Sequence, residues 1–236
     1  MKSFKALSLL LTYPGLTLQE TIGAVRQTLH AEALFSRHDL DSMEPLLTRL
    51  EHSDIYDLQE DYVLLFDRSR TLSLNLFEHI HGESRDRGGA MVDLLETYRA
   101  GGFDLTGTEL PDYLPVLLEF LSTQSVDDAR EILADAGHIL VALAQRLERR
   151  QTSYAAVLRT LVSFARADHT TQEAQALLAE KDDDPQDLEA LDSVWEEAQV
   201  TFGPDPSAGC PTTATPNEVP IQIHRTVKRT AQQTGG

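Results

Sequence analysis

Apolar residues recur every three or four positions along most of the chain, and this helical spacing constrains the fold more than any other feature. Leu and Ala dominate the apolar residues and only 6% of the sequence is aromatic, which favours helices over a β-rich core. Strand-like alternation is confined to residues 221–223, in a proline-rich region. The sequence therefore predicts an all-α protein with a single helical domain of about eight or nine helices, and a division into two lobes stays open.

Capping signals place several helix starts. Thr17 opens a capping box, and Asp41 or Ser42 can cap a following helix. Ser125 can cap a long helix that we expect to continue as far as position 147.

The composition changes near the C-terminal end. From Gly203 onward, five prolines lie among Ser, Thr and Gly residues, and such a composition cannot form a packed core. We expect residues 1–202 to form the helical domain and residues 203–236 to form a disordered, flexible Pro/Thr-rich tail.

The charge balance argues against several kinds of partner. The chain has 38 acidic and 20 basic residues, a formal net charge of −18. Nucleic-acid binding needs clustered Lys and Arg, and anionic lipid would repel such a protein. No apolar run approaches the ~18 residues of a membrane span, and one cysteine excludes a disulfide framework. We expect a cytoplasmic protein without membrane insertion, whose partner is basic or amphipathic.

The sequence lacks the common catalytic signatures, including a nucleophile elbow, a phosphate-binding loop and a zinc-protease motif. The segment 78–87 is nevertheless unusual, because it concentrates His, acidic and Arg residues around one glycine. Four of its side chains are of metal-ligating types: Glu78, His79, His81 and Glu83. Residues two apart diverge on a helix, so the two histidines suit a metal site better on a strand.

Two other interpretations of this segment stay open. In one, Ser84 caps a helix, and ion pairs form across it among Glu83, Arg85, Asp86 and Arg87. In the other, the segment is a polar binding site beside an apolar groove. Residue chemistry alone does not choose between them.

Residues 73–95, which contain this segment and are called the central block below, resemble the hallmark of the NarJ subfamily. These proteins are cytoplasmic assembly chaperones of respiratory nitrate reductase, within the TorD/DmsD group of redox-enzyme maturation proteins. Residues 62–66 fit the group's aromatic-x-x-Leu-Phe motif, and residues 109–121, the second block, fit another subfamily motif. Residues 193–200 resemble its C-terminal Trp-Glu-Glu motif. One departure is Tyr113, which stands where the wider group often has a histidine.

The resemblance implies a helical chaperone that is not an enzyme, needs no cofactor of its own and is absent from the final complex. Its partner would be the apo catalytic subunit of respiratory nitrate reductase, bound through an N-terminal segment that resembles a vestigial twin-arginine leader. The chaperone would keep that subunit competent for molybdenum cofactor insertion and complex assembly. Molybdenum cofactor biosynthesis proteins are further candidate partners.

We expect the peptide-binding site to combine an apolar groove with charged groups. The groove would be lined by Tyr62, Leu65, Phe66, Phe77 and Tyr113, for which ordinary core packing is the alternative. The groups that would meet a basic ligand are Glu78, His79, Glu83 and Asp86, while Arg85 and Arg87 would fix the loop. His81 belongs to the same site, and the histidine pair would make binding sensitive to pH.

Two rival functions stay open from the sequence. One is a metal-binding helical enzyme that uses Glu78, His79, His81 and Glu83. The other is a generic helical adaptor with no link to molybdoenzymes.

Overall fold

The computed structural model describes residues 1–81 and 85–183, with the backbone alone for Arg85. These residues contain eleven α-helices and no β-strand, so the predicted all-α fold class is confirmed. The predicted tail 203–236, the strand-like stretch 221–223 and the motif 193–200 lie outside the described residues.

The helices follow one another with short connections. They are α1 (Lys2–Leu10), α2 (Leu16–Glu32), α3 (Arg37–His52), α4 (Ile55–Tyr62), α5 (Glu78–His81), α6 (Arg85–Ala100), α7 (Leu114–Leu121), α8 (Val126–Asp135), α9 (Gly137–Arg149), α10 (Ala155–Ala165) and α11 (Gln172–Ala179). A π-helical turn (Val63–Asp67) continues α4, and a 3₁₀ turn (Arg70–Leu72) precedes the central block.

The core lies around α9, most of whose side chains are buried. Helices α10 and α11 pack on α9, while α1 packs on both α2 and α7. Leucine supplies most of the buried side chains, and Phe4, Phe35 and Phe164 add an edge-to-face aromatic cluster with ring centroids 5.1–6.0 Å apart. Leucines and this small aromatic cluster thus form one continuous core, although few residues are aromatic.

Some predicted helix starts are displaced. Ser36 caps α3 by accepting a hydrogen bond from the Asp39 backbone N–H at 3.2 Å, so α3 begins before the predicted caps Asp41 and Ser42. Helix α2 begins after Gly15 without a side-chain cap, which places Thr17 inside the helix. The backbone can satisfy its first N–H groups in several ways, and a sequence signal does not select one.

The long helix predicted from Ser125 is interrupted. Ser125 does cap α8, but this helix ends at Asp135, and α9 begins at Gly137 after the single residue Ala136. A Cβ atom at Gly137 would lie 2.9 Å from the Cβ of Ala167, so α9 begins where the chain just after α10 lies very close. This break and the short helix α5 give more helices than the eight or nine predicted.

Candidate functional site

An isolated antiparallel bridge joins the central block to the second block. It pairs Asn75 with Tyr113, and two backbone hydrogen bonds flank it, from Leu76 N–H to Asp112 O (3.0 Å) and from Leu114 N–H to Leu74 O (2.8 Å). Two segments that the sequence marks separately therefore form one structural unit.

A buried carboxylate completes this junction. Asp112 Oδ2 accepts a hydrogen bond from the Phe77 backbone N–H at 3.1 Å and lies 3.7 Å from Arg87 Nη2. The same Arg87 nitrogen donates to Glu78 Oε1 at 3.2 Å. Burial raises the pKa of Asp112, while the Phe77 hydrogen bond and the Arg87 charge act in the opposite direction. Sequence reasoning missed Asp112, although an acid after Pro111 inside a recognised motif was a usable signal.

An aromatic stack lies beside the junction. The hydroxyl oxygens of Tyr62 and Tyr113 are 3.0 Å apart, and the Tyr62 ring centroid is 4.9 Å from that of Phe66. Phe66 in turn packs edge-on against Tyr154 at 5.2 Å. Burial raises the pKa of Tyr62 and Tyr113, and that of Tyr154 to about 12, so all three stay protonated at neutral pH.

The expected groove residues differ in exposure. Tyr62 is 3% exposed and Phe66 is 5% exposed, so both pack in the core. Leu65, Phe77 and Tyr113 are half-buried and present part of their surface to solvent. The role of these five residues in peptide binding remains a prediction, and the half-buried three are those that a ligand can reach in this arrangement.

The charged candidates are distributed around α5 and the start of α6. Glu78, His79, His81 and Arg87 are half-buried, and Asp86 is exposed. Glu83 lies outside the described residues, and Arg85 is placed by its backbone as the first residue of α6. Arg87 of α6 pairs with Glu78 of α5, which is not among the partners that the ion-pair interpretation named.

The two histidines have separate environments. His79 Nε2 lies 2.8 Å from the carbonyl oxygen of Ser73; a carbonyl only accepts, so this nitrogen carries a proton and is not free to bind a metal. The ring of His81 packs edge-on against Phe77 with centroids 5.8 Å apart. Within residues 1–81 and 85–183, no group of three or more His, Cys, Asp or Glu is placed to hold a metal ion.

A second polar cluster, which the sequence did not indicate, lies on the other side of the central block. Arg146 of α9 is 1% exposed, and it donates to the carbonyl oxygens of Thr71 (2.9 Å) and Leu177. Residues 180–183, called the acidic strap below, lie over it.

The last two residues of the strap, Asp182 and Asp183, are both held. Asp182 Oδ1 is 3.2 Å from Arg146 Nε, and Asp183 Oδ2 accepts a hydrogen bond from the Thr71 backbone N–H at 2.7 Å. Arg150 donates to the Asp183 carbonyl oxygen at 2.6 Å. The acidic strap thereby fixes the 3₁₀ turn that leads into the central block.

Comparison with known proteins identifies the family. The family model described as nitrate reductase delta subunit matches residues 17–160. The chain belongs to this family. In this chain, the region that matches the family model runs from the first turn of α2 into α10, and it includes both the central and the second block.

Two curated relatives cover most of the chain. The nitrate reductase molybdenum cofactor assembly chaperone NarJ of Escherichia coli strain K12 is 41% identical over 215 residues, 86% of this chain and 85% of that protein. The probable nitrate reductase molybdenum cofactor assembly chaperone NarW of the same strain is 38% identical, over 89% of this chain and 87% of that protein. The resemblance to the NarJ subfamily is therefore confirmed.

A solved structure shares the fold. The crystal structure of a candidate redox enzyme maturation protein from Archaeoglobus fulgidus superposes with a TM-score of 0.51 and 24% identity, covering 70% of this chain and 94% of that one. At this identity the match supports the helical fold alone. None of the described helices is long and apolar enough to cross a membrane.

Proposed function

We propose that this member of the nitrate reductase delta subunit family is a chaperone for nitrate reductase assembly and molybdenum cofactor insertion. The observation that carries the proposal is its 41% identity, over 86% of its length, to a protein named as such a chaperone. The chaperone binds the apo catalytic subunit through that subunit's N-terminal segment, and it is not part of the final enzyme.

The chemistry of the site supports a peptide ligand. Leu65, Phe77 and Tyr113 are half-buried, the carboxylate of Glu78 belongs to the residue after Phe77, and Asp86 is exposed in the first turn of α6. An amphipathic basic segment matches that combination, because its apolar side chains can enter the groove while its cations face carboxylates. Three or four anchors at ~1.5–3 kcal/mol each, less the cost of ordering the peptide, give a Kd of about 1 μM.

Binding of this strength is compatible with release. A chaperone that binds the unfolded N-terminal segment loses its ligand when that segment folds into the cofactor-loaded subunit. No catalysis is required for this cycle, so we propose a non-enzymatic protein that acts in the cytoplasm. Molybdenum cofactor biosynthesis proteins are proposed as transient partners that meet the chaperone–subunit complex.

Titration calorimetry with a synthetic N-terminal peptide of the nitrate reductase catalytic subunit tests the proposal. We expect a Kd near micromolar that weakens as salt rises, since screening shortens the reach of charge attraction to about 8 Å at physiological ionic strength. A peptide of the same composition in scrambled order is the control. Silence of both peptides at tens of micromolar would contradict the proposed function and leave a generic adaptor.

The metal-enzyme alternative has its own test. Elemental analysis of the purified protein, repeated for His79→Ala and His81→Ala, measures whether either ring holds a metal. We expect no stoichiometric metal in any of the three proteins, because His79 Nε2 is already committed to Ser73. Stoichiometric metal that disappears in both variants would revive the alternative.

A further inference from the structure

The outer ring of the aromatic stack belongs to a residue that the sequence did not single out. Tyr13, in the connection between α1 and α2, is 51% exposed, and its ring packs edge-on over Tyr62 with centroids 5.7 Å apart. Tyr62 was expected to meet a ligand but is nearly covered. A ligand that approaches the stack from solvent therefore meets Tyr13 first.

Tyr13 sits on a fixed piece of backbone. Gln59 of α4 donates a hydrogen bond to the carbonyl oxygen of Pro14 at 2.9 Å. On the other side of Tyr13, the Leu11 carbonyl oxygen accepts a hydrogen bond from the Tyr62 hydroxyl at 2.9 Å. With both flanks tied to α4, the ring is preorganised, which lowers the ordering cost of binding.

Two exposed leucines lie close along the chain to residues of the aromatic stack. Leu16 begins α2, three residues after Tyr13, and is exposed. Leu110 is exposed as well. Its carbonyl oxygen accepts a hydrogen bond from the backbone N–H of Tyr113 at 3.1 Å, so a tight turn connects Leu110 to the tyrosine whose hydroxyl meets Tyr62. Tyr13, Leu16 and Leu110 are called the Tyr13 face below. Exposed large apolar side chains next to a candidate site commonly mark an interaction surface.

The segments that supply Tyr62 and Tyr113 are rich in acidic residues, although Arg49 pairs with Asp61 and Arg68 directly follows Asp67. Residues 54–67, which supply Tyr62, contain five acidic residues and no Lys, Arg or His. Residues 103–113, which supply Tyr113, contain three acidic residues and again no basic one. The charges of Glu109 and Asp67 reach the Tyr113 hydroxyl, where they add to the effect of burial in raising its pKa. An incoming cation is therefore attracted to this side of the molecule.

We infer that the Tyr13 face is the docking surface for an amphipathic, basic peptide segment. An apolar side chain of the peptide packs on the open side of the Tyr13 ring and between Leu16 and Leu110, and its Lys or Arg side chains point to Asp67 and Glu109. The inference rests on the proposed function and assigns a surface to it. In this arrangement Tyr62 and Phe66 do not touch the peptide and instead support the Tyr13 ring from below.

The test compares two exposed tyrosines. Tyr56 is 76% exposed and lies six positions before Tyr62 on α4, about 120° away around the helix axis, so it serves as the matched control. The probe is the synthetic N-terminal peptide of the nitrate reductase catalytic subunit. We expect Tyr13→Ala to raise the Kd at least tenfold, Tyr56→Ala to change it less than twofold, and Tyr13→Phe to keep most of the affinity.

Further variants keep the inference falsifiable if Tyr13→Ala loses its fold by circular dichroism. Leu16→Lys changes an exposed side chain and should weaken binding by repelling the basic peptide. Asp67→Asn together with Glu109→Gln should flatten the salt dependence of the Kd, whereas the exposed pair Glu131→Gln and Glu173→Gln should not.

The two proposals fail in different ways. If the wild-type protein does not bind the peptide, the proposed function is overturned and the variants are silent for that reason. If the wild-type protein binds, and Tyr13→Ala and Leu16→Lys bind as tightly as Tyr56→Ala, the peptide docks elsewhere and the Tyr13 face is wrong.

Discussion

The hydroxyl oxygens of Tyr62 and Tyr113 lie 3.0 Å apart, and Tyr62 also lies 2.9 Å from the carbonyl oxygen of Leu11. A carbonyl can only accept, so Tyr62 gives its single proton to Leu11 and accepts one from Tyr113. One buried hydroxyl thus joins the end of α1, the end of α4 and the start of α7. Tyr113, the residue before the first residue of α7, completes this connection.

Removing the two hydroxyls should have unequal effects. Tyr62→Phe leaves both the Leu11 carbonyl and the Tyr113 hydroxyl without their partner, so we expect the free energy of unfolding to fall by about 1–3 kcal/mol. Tyr113→Phe leaves the Tyr62–Leu11 bond intact, and a loss of about 0.5–1.5 kcal/mol is expected. Urea unfolding followed by circular dichroism measures both values.

The double variant provides the internal control. Because the two hydroxyls share one bond, the combined loss should be smaller than the sum of the single losses. Strict additivity would mean that the pair is not coupled in solution.

The position of the acidic strap should depend mainly on Arg146. Arg146→Met removes the buried guanidinium, leaves the carbonyl oxygens of Thr71 and Leu177 without this donor and takes one of two arginine partners from Asp182, so we expect about 3–5 kcal/mol of destabilisation. Arg149 also pairs with Asp182, at 3.3 Å, but is about half exposed, and Arg149→Met should cost less than about 1 kcal/mol. Equal losses for the two variants in thermal unfolding would show that the buried position of Arg146 does not matter.

A carboxylate from α2 caps α1. Glu32 accepts hydrogen bonds from the backbone N–H groups of Lys2 (3.0 Å) and Ser3 (2.5 Å). Burial alone would raise the pKa of Glu32, but the bonds from Ser3 and Lys2 lower it below its ordinary value of 4.5. A carboxyl with a lowered folded pKa contributes stability that is present above its unfolded pKa and is lost as the pH falls through the folded pKa.

Glu32→Gln should therefore cost stability at neutral pH and little at pH 3. Because Glu32 is largely exposed, we expect a loss at the low end of the capping range, about 0.5–1 kcal/mol at pH 7. Urea midpoints at several pH values between 7 and 3 measure the effect, with Glu131→Gln as the exposed control. A difference that stays constant with pH would attribute the loss to packing and not to charge.

The fold class followed from the sequence because helical periodicity is a local property that repeats in every segment. The break at Ala136 did not, because the contact found beside it joins Gly137 to Ala167, a residue 30 positions later. The displaced cap at Ser36 has a similar cause. Several polar residues near a helix start can cap it, and packing selects among them.

The sequence indicated which segment forms the candidate site, but it did not indicate which residues that segment contacts. The central block was evident from its unusual composition and its resemblance to a family. Its pairing with Tyr113 through an isolated bridge, and the burial of Asp112 beneath it, are long-range contacts with no periodic signal. For the same reason the sequence did not show that Tyr13 would cover Tyr62.

The protonation of His79 should make stability sensitive to mild acid. Burial is the largest effect on His79 and lowers its pKa from the ordinary value of 6.5. The hydrogen bond to Ser73 opposes it, the Arg146 charge adds a smaller lowering effect, and the Glu78 and Glu180 charges oppose it weakly. The unfolded chain therefore binds a proton at His79 more readily than the folded one.

It follows that this contribution to stability is complete above pH 6.5 and is lost as the pH falls from there towards the folded pKa. The loss cannot exceed about 1.4 kcal/mol per pH unit for one proton. His79→Gln keeps a side-chain N–H for the Ser73 carbonyl but cannot gain a proton, so its unfolding free energy should fall less between pH 7.5 and 5.5. The exposed His38→Gln should follow the wild type. Urea unfolding at four pH values across this range tests the prediction, and parallel curves for His79→Gln and the wild type would show that His79 titrates equally in both states.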